Sequence, residues 1–237
     1  QEIVRILDSF TQLTAELTAE LTAELTARRM QYEYYLEKVL SFGESIPRLK
    51  IEALCSVITD GSHFSPNGVD AGYCMPSVKD MRSDGFNYSD CKQISEQDYN
   101  ALVTNGCQPL AGDVLVAKDG AMLKHAFVFS GDKEVVVLSS IAILRPRQDL
   151  IEPKYMAYYF RQKSFKENVI RQYSTRGGVP RIILKNFKKV EIAVPPKRIQ
   201  REIISILDRF DALCNDLTHG LPAEIEARRK QYEYYRD

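Results

Sequence analysis

Two segments at opposite ends of the 237-residue chain are copies of one another. Residues 2–37 align without a gap with residues 202–237, and 20 of the 36 aligned positions are identical. In both copies Ile, Leu and Phe recur every three or four residues, which is the spacing of one helix face. Because a narrow apolar face of this length usually packs against another helix, the repeat predicts two long helices that flank the middle of the chain and form an antiparallel coiled-coil pair.

The first copy contains a shorter repeat of its own. The sequence LTAELTAELTAELTA runs from Leu13 to Ala27 and repeats one tetrapeptide three times. Four residues are close to one helical turn, so each unit keeps its leucine near the same face. We therefore expect the number of units to change with little effect on packing. In the second copy, Gly220-Leu221-Pro222 is expected to kink or interrupt the helix.

The middle of the chain has a different composition, in which Gly, Pro, Asn and Asp separate short apolar runs. This pattern predicts strands within Gly112–Gly120, Glu134–Pro146 and Lys188–Pro196. Pro153–Tyr173 has helical periodicity and begins with proline, as helices often do. The predicted fold class is α+β, with one mixed α/β domain flanked by two long helices. We place the boundaries at residues 1–43 for the first helix, 44–196 for the mixed domain and 197–237 for the last helix.

Motifs of catalysis are missing from the sequence. It contains neither a phosphate-binding GxxxxGK[ST] loop nor the (D/N)PP(Y/F) tetrapeptide of a DNA amino-methyltransferase. A metal-dependent nuclease motif could combine Asp132 with Glu152-Pro153-Lys154, but the proline would break the strand that must present the acid and the lysine. His63 lies in a turn, where it is expected to form hydrogen bonds rather than act as a base. We therefore expect no catalytic residue, no metal ligand and no cofactor in this chain.

The five cysteines are scattered without a CxxC pair, and the three histidines are isolated. This usage is typical of a reducing compartment and not of a disulfide framework or a structural zinc site. No apolar run approaches the ~18 residues of a membrane span. We therefore expect a cytoplasmic location and no membrane partner.

The charges balance over the whole chain but not along it. Residues 154–198 carry twelve Lys/Arg and two Asp/Glu, a net of +10, whereas residues 60–113 carry three and eight, a net of −5. A concentrated basic segment is the electrostatic pattern of nucleic-acid binding. A solvated helix face followed by a loop would give the same pattern.

Two loops supply side chains suited to DNA recognition. Ser174–Lys189 joins a glycine pair to several Arg and Lys, and Thr59–Pro66 carries short hydrogen-bonding side chains. Glycine lets a backbone approach a surface closely, while Arg binds guanine edges or phosphates and Lys adds positive charge. Either loop alone could be an ordinary surface turn, but together they favour DNA. The predicted DNA contacts are Ser62, His63, Lys79, Arg82, Lys118, Lys124, Thr175, Arg176, Gly177, Gly178, Arg181 and Lys185.

The sequence resembles the DNA-specificity subunit of type I restriction-modification systems, in the branch whose central spacer carries TAEL repeats. The resemblance covers the whole chain and includes the TAEL units, ARRxQYEYY in both copies, GDVLVAKDGAMLK at Gly112–Lys124 and the sequence Gly177–Ile204. It implies a target-recognition domain for one half of a split DNA site, on helices that bind two methyltransferase subunits and motor-nuclease restriction subunits. Catalysis and its cofactors, S-adenosylmethionine, ATP and Mg²⁺, would then belong to those partners, which methylate adenine N6 and cut DNA.

A full subunit of that family has two recognition domains, whereas this chain has one, so the resemblance implies half a subunit. Two copies in a homodimer would restore the symmetry and recognise an inverted repeat. The TAEL units would then set the distance between half-sites. Four helical residues add about 6 Å and turn about 400°, and one base pair adds about 3.4 Å and turns about 34–36°. One unit therefore rotates the far end, beyond a full turn, by nearly the angle of one base pair.

Tyrosines cluster near the end of each copy. They could pack between the helices and the mixed domain, or they could anchor the methyltransferase subunits, since aromatic residues are enriched at interfaces. The alternative to a DNA-recognition subunit is a coiled-coil protein–protein adaptor without DNA readout, and steeply salt-dependent DNA binding would separate the two. The predicted partner-binding residues are Tyr32, Tyr34, Tyr35, Tyr232, Tyr234 and Tyr235.

Overall fold

The computed structural model describes residues 2–120, 122–175, 181–215 and 220–236. The chain divides into a helical unit, Gln1–Val39 with Ser205–Asp237, and a mixed unit, Leu40–Ile204. The helices are α1 (Glu2–Val39), α2 (Ile51–Leu54), α3 (Glu96–Thr104), α4 (Pro153–Arg161), α5 (Lys163–Tyr173), α6 (Leu184–Phe187), α7 (Lys197–Asn215) and α8 (Leu221–Arg236). The strands are β1 (Arg48–Lys50), β2 (Cys55–Asp60), β3 (Tyr73–Cys74), β4 (Gln93–Ile94), β5 (Val114–Ala117), β6 (Ala126–Val128), β7 (Ile141–Pro146) and β8 (Glu191–Ala193).

In the helical unit, α1 is continuous through all the TAEL units. Threonine hydroxyls compete with helical hydrogen bonding when they are free to bond the backbone elsewhere. Here the hydroxyls of Thr18, Thr22 and Thr26 each donate to the carbonyl oxygen four residues earlier, at 2.8, 2.7 and 2.9 Å. Each unit therefore repeats one local contact, and its threonine is accommodated within the helix.

Across the described residues, no helix is long and apolar enough to cross a bilayer.

The two copies of the repeat contact one another within this unit. α1 packs against α8, and the ring of Tyr35 stacks on Phe210 of α7 with 5.1 Å between centroids. The Cys214 thiol, whose pKa burial raises, lies within the electrostatic range of Arg29.

The interruption predicted near Gly220 is confirmed. α7 ends at Asn215, and α8 begins at Leu221 with Pro222 in its first turn. Proline is tolerated there because the N–H groups of the first turn have no acceptor within the helix.

A four-stranded antiparallel sheet in the order β2-β7-β5-β6 lies at the centre of the mixed unit. β5, which confirms the strand predicted within Gly112–Gly120, is buried at every position. Asp113 directly precedes β5, and its carboxylate accepts two hydrogen bonds of 2.9 Å from the Arg145 guanidinium of β7. This pairing raises the pKa of Arg145 and gives the buried Asp113 carboxylate a counter-charge.

The register of the sheet brings four strand termini together. β2 and β5 end where β6 and β7 begin, and we call this the loop end of the sheet. The residue pairs at the loop end are Asp60 with Ala142, Ala117 with Ile141 and Val116 with Ala126.

Two predicted segments are divided in the structure. Within Glu134–Pro146, β7 covers the second half, while Val135 and Leu138 form isolated parallel bridges to other segments. Pro153–Tyr173 forms two helices, because Gln162 between them has extended backbone angles of −60° and 125°.

A buried glutamine fixes the start of α7 to the mixed unit. The Gln200 side chain accepts the Glu152 N–H at 2.8 Å and donates to the carbonyl oxygens of Leu150 at 3.1 Å and Pro195 at 2.9 Å. The Glu152 carboxylate in turn lies 2.9 Å from Lys197 Nζ. β8, the strand predicted within Lys188–Pro196, precedes this junction and pairs with β1.

Candidate nucleic-acid interface

Three segments meet at the loop end of the sheet. They are the β2 loop (residues 60–64), the β5–β6 loop (residues 118–125) and the basic segment (residues 174–182). The Ile182 N–H donates to the Lys118 carbonyl oxygen at 3.0 Å, and Arg181 forms an antiparallel bridge with Asp119. The basic segment is therefore hydrogen-bonded to the β5–β6 loop.

A buried ion group links the β2 loop to the β5–β6 loop. Lys118 Nζ lies 3.2 Å from Asp60 Oδ2 and 3.3 Å from Asp119 Oδ1, and 5% of the Lys118 side chain is exposed. We call Lys118, Asp60 and Asp119 the Lys118 ion group. Lys118 was predicted to contact DNA, but in this structure its ammonium is buried and paired with two carboxylates, so it is not among the exposed cations. Lys118 instead fixes the positions of loops that carry other predicted contacts.

The β2 loop is a rigid turn with exposed rings at its tip. The Ser62 N–H donates to the Val137 carbonyl oxygen at 2.8 Å, and a Cβ on Gly61 would lie 1.9 Å from that oxygen. The Ser62 hydroxyl donates to the Phe64 carbonyl oxygen at 2.6 Å and accepts the Phe64 N–H at 3.1 Å. The Ser62 hydroxyl, which was predicted to contact DNA, is therefore engaged in hydrogen bonds within the turn.

Phe64 is a candidate contact that the sequence analysis missed. It is 68% exposed, and the neighbouring His63 side chain is 79% exposed, with Nε2 3.8 Å from Asp60 Oδ2. In the sequence, Phe64 could have been recognised as a candidate because it is an aromatic residue within an otherwise polar turn.

Within the described part of the chain, no three His, Cys, Asp or Glu side chains are grouped as a metal site.

The two described ends of the basic segment are hydrogen-bonded to each other. The Thr175 N–H donates to the Arg181 carbonyl oxygen at 2.9 Å, and the Thr175 hydroxyl accepts the Arg181 N–H at 3.3 Å. Arg181 is exposed, as is Lys185 on α6. The predicted contacts Arg176, Gly177 and Gly178 lie outside the described residues.

Four cationic residues lie within electrostatic range of His125, which immediately precedes β6. The members of this group, which we call the His125 cation cluster, are Arg82, Lys124, His125, Arg161 and Lys166. Arg161 Nε donates to the Ala126 carbonyl oxygen at 3.0 Å and its Nη2 donates to the Ser83 carbonyl oxygen. Burial, followed by the charges of the four cations, lowers the pKa of His125. Arg82 and Lys124 were predicted contacts, whereas the other three were not.

The predicted contact Lys79 belongs to the same region. It is exposed, and its carbonyl oxygen accepts a hydrogen bond of 2.9 Å from Arg82 Nη1, which also donates to the Met81 carbonyl oxygen at 2.8 Å. These two bonds turn the Arg82 side chain back over its own loop.

A left-handed residue shapes the β5–β6 loop. Leu123 has a φ of 55°, which costs a non-glycine residue about 1–2 kcal/mol. Its side chain is fully buried, and its N–H donates to the Ala117 carbonyl oxygen at 2.7 Å. Burial and this bond hold the strained backbone in place, so that Lys124 stands at the surface.

Comparison with known families agrees with the resemblance of the sequence. The family described as type I restriction modification DNA specificity domain matches residues 78–227, which is more than half of the chain. The chain belongs to this family. The matched range contains the β5–β6 loop, the basic segment and the His125 cation cluster, and the β2 loop precedes it.

Individual relatives of this specificity-subunit family cover the entire chain. A putative type I restriction enzyme specificity subunit from Haemophilus influenzae is 33% identical over 100% of this chain and 60% of its own length. The EcoR124I/EcoR124II specificity subunit of Escherichia coli is 32% identical over 100% of this chain and 57% of its own length. The chain thus spans less than two thirds of the length of either relative.

Solved structures share the fold. The HsdS subunit from Thermoanaerobacter tengcongensis superimposes with a TM-score of 0.64 at 17% identity, over 99% of this chain and 55% of that one. A structure of an assembled type I restriction-modification system gives a TM-score of 0.66 at 16% identity, over 99% of this chain and 57% of that one.

The tyrosines of the specificity-subunit helices have different environments. Tyr34 is exposed and Tyr32 is half-buried, while Tyr35 contacts both Tyr34 and Phe210. Tyr234 is 79% exposed. The side chains of Tyr232 and Tyr235 lie outside the described part of the structure.

Replacing Lys118 by methionine should destabilise the protein. The substitution leaves two partly buried carboxylates without their cation, and we expect the free energy of unfolding to fall by about 3 kcal/mol, measured by urea denaturation. Lys124→Met removes an exposed cation from the same loop and should change it by less than about 0.5 kcal/mol. Equal stability of the two variants would contradict a buried Lys118 ion group.

Proposed function

We propose that this chain is the DNA-recognition subunit of a type I restriction-modification complex and recognises one half of a bipartite site. The observation that carries the proposal is the convergence of three loops at one end of the sheet. Phe64, His63 and Arg181 are exposed there, and the Lys118 ion group fixes the loops beneath them. Membership of the specificity family supplies the class of ligand.

The loops fit a double-stranded DNA ligand in three ways. The exposed cations provide the salt-dependent attraction to phosphates that underlies DNA binding. Exposed rings and side chains on short loops can reach base edges in a groove, which is where sequence is distinguished. A pre-formed turn such as that of the β2 loop also loses little conformational entropy when it binds.

The helices would serve as the scaffold. In this proposal residues 1–43 and 197–237 form an antiparallel coiled-coil pair that binds methyltransferase subunits and the restriction subunit, and residues 44–196 form the recognition domain. Among the tyrosines whose side chains are described, the exposed Tyr34 and Tyr234 would serve as anchors for these subunits. The chain itself performs no catalysis, and S-adenosylmethionine, ATP and Mg²⁺ are used by the partner subunits.

Two copies of the chain would form the complete DNA-recognition unit, with two recognition domains. The specificity relatives are longer than this chain, and a homodimer would supply a second recognition domain. Because two identical domains related by a two-fold axis recognise identical half-sites, the full site would be an inverted repeat.

Methylation mapping tests this function. We expect co-expression of the chain with its methyltransferase subunit to methylate adenines in a symmetric motif interrupted by a fixed spacer. The alternative, a protein–protein adaptor without DNA readout, predicts that the chain binds the subunit but produces no sequence-specific methylation. Pull-down of the methyltransferase subunit separates this outcome from a failure of assembly.

Shortening α1 should shorten the spacer. Deletion of Leu17–Glu20 removes one TAEL unit, about 6 Å and one helical turn, and we expect mapped motifs with fewer spacer base pairs. Thr18→Ala keeps the length while removing the bond from Thr18 to Thr14, so it should leave the spacer unchanged. An unaltered spacer in the deletion variant would refute the role of the repeat number.

Removing the Phe64 ring should weaken specific binding. Phe64→Ala leaves the Ser62 turn intact and deletes an apolar surface suited to a thymine methyl group or a base face. We expect affinity for the mapped site to fall about tenfold, equivalent to about 1.4 kcal/mol, with little change for unrelated DNA. The exposed Leu110 offers a matched apolar control, Leu110→Ala. Equal losses on both DNAs would argue against base contact by Phe64.

A further inference from the structure

The β2 loop and the basic segment are connected through one residue, Lys118. Its Nζ lies 3.2 Å from Oδ2 of Asp60, which is the last residue of β2. Its carbonyl oxygen accepts the Ile182 N–H at 3.0 Å, and the adjacent Asp119 forms an antiparallel bridge with Arg181. The side chain of Lys118 therefore contacts the β2 loop, while its main chain contacts the basic segment.

One ammonium is shared by two carboxylates in this connection. Lys118 Nζ lies within 3.3 Å of both Asp60 and Asp119, and the exposed fractions of the three side chains are 5%, 13% and 22%. Separating such a pair leaves a poorly hydrated charge behind, which is strongly unfavourable. A displacement of the β2 loop is therefore opposed by the β5–β6 loop and, through the Ile182 hydrogen bond, by the basic segment.

A separate set of main-chain bonds holds the two loops to residues 137–140. The Ser62 N–H donates to the Val137 carbonyl oxygen at 2.8 Å, and the Ser139 N–H donates to the Ser62 carbonyl oxygen at 2.9 Å. The Lys118 N–H donates to the Ser140 carbonyl oxygen at 2.9 Å. None of these three bonds uses the ammonium. The ammonium therefore adds a side-chain link between loops that the backbone attaches to the sheet by itself.

We propose that Lys118 is a positioning residue that couples the β2 loop to the basic segment, so that Phe64 and Arg181 recognise DNA as one cooperative unit. A duplex that fits the ring at the tip of the β2 loop finds the guanidinium already in place, and the converse also holds. This inference rests on the proposed function and adds to it the buried residue that determines how sharply DNA sequence is distinguished.

The proposal separates the recognition of base sequence from the attraction to phosphates. The Lys118 ammonium is buried, whereas exposed cations supply the attraction to phosphates that sets the slope of log affinity against log salt. Sequence is distinguished by groups that must meet base edges in a fixed arrangement. Loss of the Lys118 charge should therefore lower the preference for the correct sequence and leave the salt dependence unchanged.

A double-mutant cycle measures the coupling. The full chain, in complex with its methyltransferase subunit, is titrated against a fluorescent duplex carrying the mapped site and against an unrelated duplex. The ratio of the two affinities is compared for the natural protein, Phe64→Ala, Arg181→Ala and the double variant. We expect the loss in the double variant to be at least about threefold smaller than the product of the two single losses, because residues in one network are not additive.

The cycle is then repeated in three backgrounds. In Lys118→Met the single losses should simply multiply, and the preference for the mapped duplex should fall by about fivefold or more, as for one mismatched base pair. Asp60→Ala leaves the ammonium paired with Asp119, so it should abolish the coupling without leaving an unpaired cation. Lys92→Met is the matched control, because it removes a bond of 2.8 Å to Ser65, directly after the β2 loop. It cuts no link to the basic segment and should keep the coupling.

Three results would overturn the inference. The first is additive losses in the natural protein, and the second is coupling that persists in a folded Lys118→Met or Asp60→Ala variant. The third is loss of coupling in Lys92→Met, which would show that any loosening of the β2 loop has the same effect. Unfolding midpoints are measured in parallel, and affinities are compared at a temperature at which each variant is folded.

The salt dependence and the unrelated duplex distinguish the remaining alternatives. A reduced salt slope in Lys118→Met would mean that the ammonium contacts a phosphate, and the positioning role would be wrong. If the natural protein shows no preference for the mapped duplex, the proposed function fails as a whole. A clear preference without coupling between Phe64 and Arg181 rejects this inference alone.

Discussion

The loop end of the mixed unit depends on one buried lysine. Lys118 holds carboxylates from the end of β2 and from its own loop within 3.3 Å, and its main chain holds the basic segment through Ile182. Removing such an ion from water is unfavourable unless every partner stays in place. The Lys118 charge is therefore satisfied only when the three loops keep their positions. This constraint makes the surface that the loops form well defined.

This constraint separates the residues that support the surface from those that form it. Ser62 and Thr175 use their hydroxyls to close turns, whereas Phe64 and Arg181 are left exposed by the same turns. The left-handed Leu123 acts in the same way for the β5–β6 loop, since its buried side chain holds a backbone that places Lys124 outside. Polar residues of these loops thus fix the positions of their exposed neighbours.

Much of the fold could be predicted from the sequence because it depends on local periodicity. The repeated helices, the start of α8 after Gly220 and the strand at Val114–Ala117 all follow from residue spacing and from the backbone properties of Gly and Pro. The candidate site was harder to predict. Lys118 stood in a loop like an exposed cation, and no local pattern indicated that two carboxylates, one of them 58 positions earlier, would enclose it. His125 and Arg161 were missed for the same reason, since their proximity comes from packing.

The sequence by itself determined the family, the two long helices, the mixed domain between them and the basic character of the segment after α5. Each of these depends on residues that are contiguous in the chain. The tertiary structure decided which charges face solvent and which neutralise one another. It also placed Phe64 at the tip of a fixed turn and brought four cationic residues within electrostatic range of His125. Exposure and proximity depend on the register of β2, β5, β6 and β7, and register is settled only when distant strands pair and bury their apolar faces together.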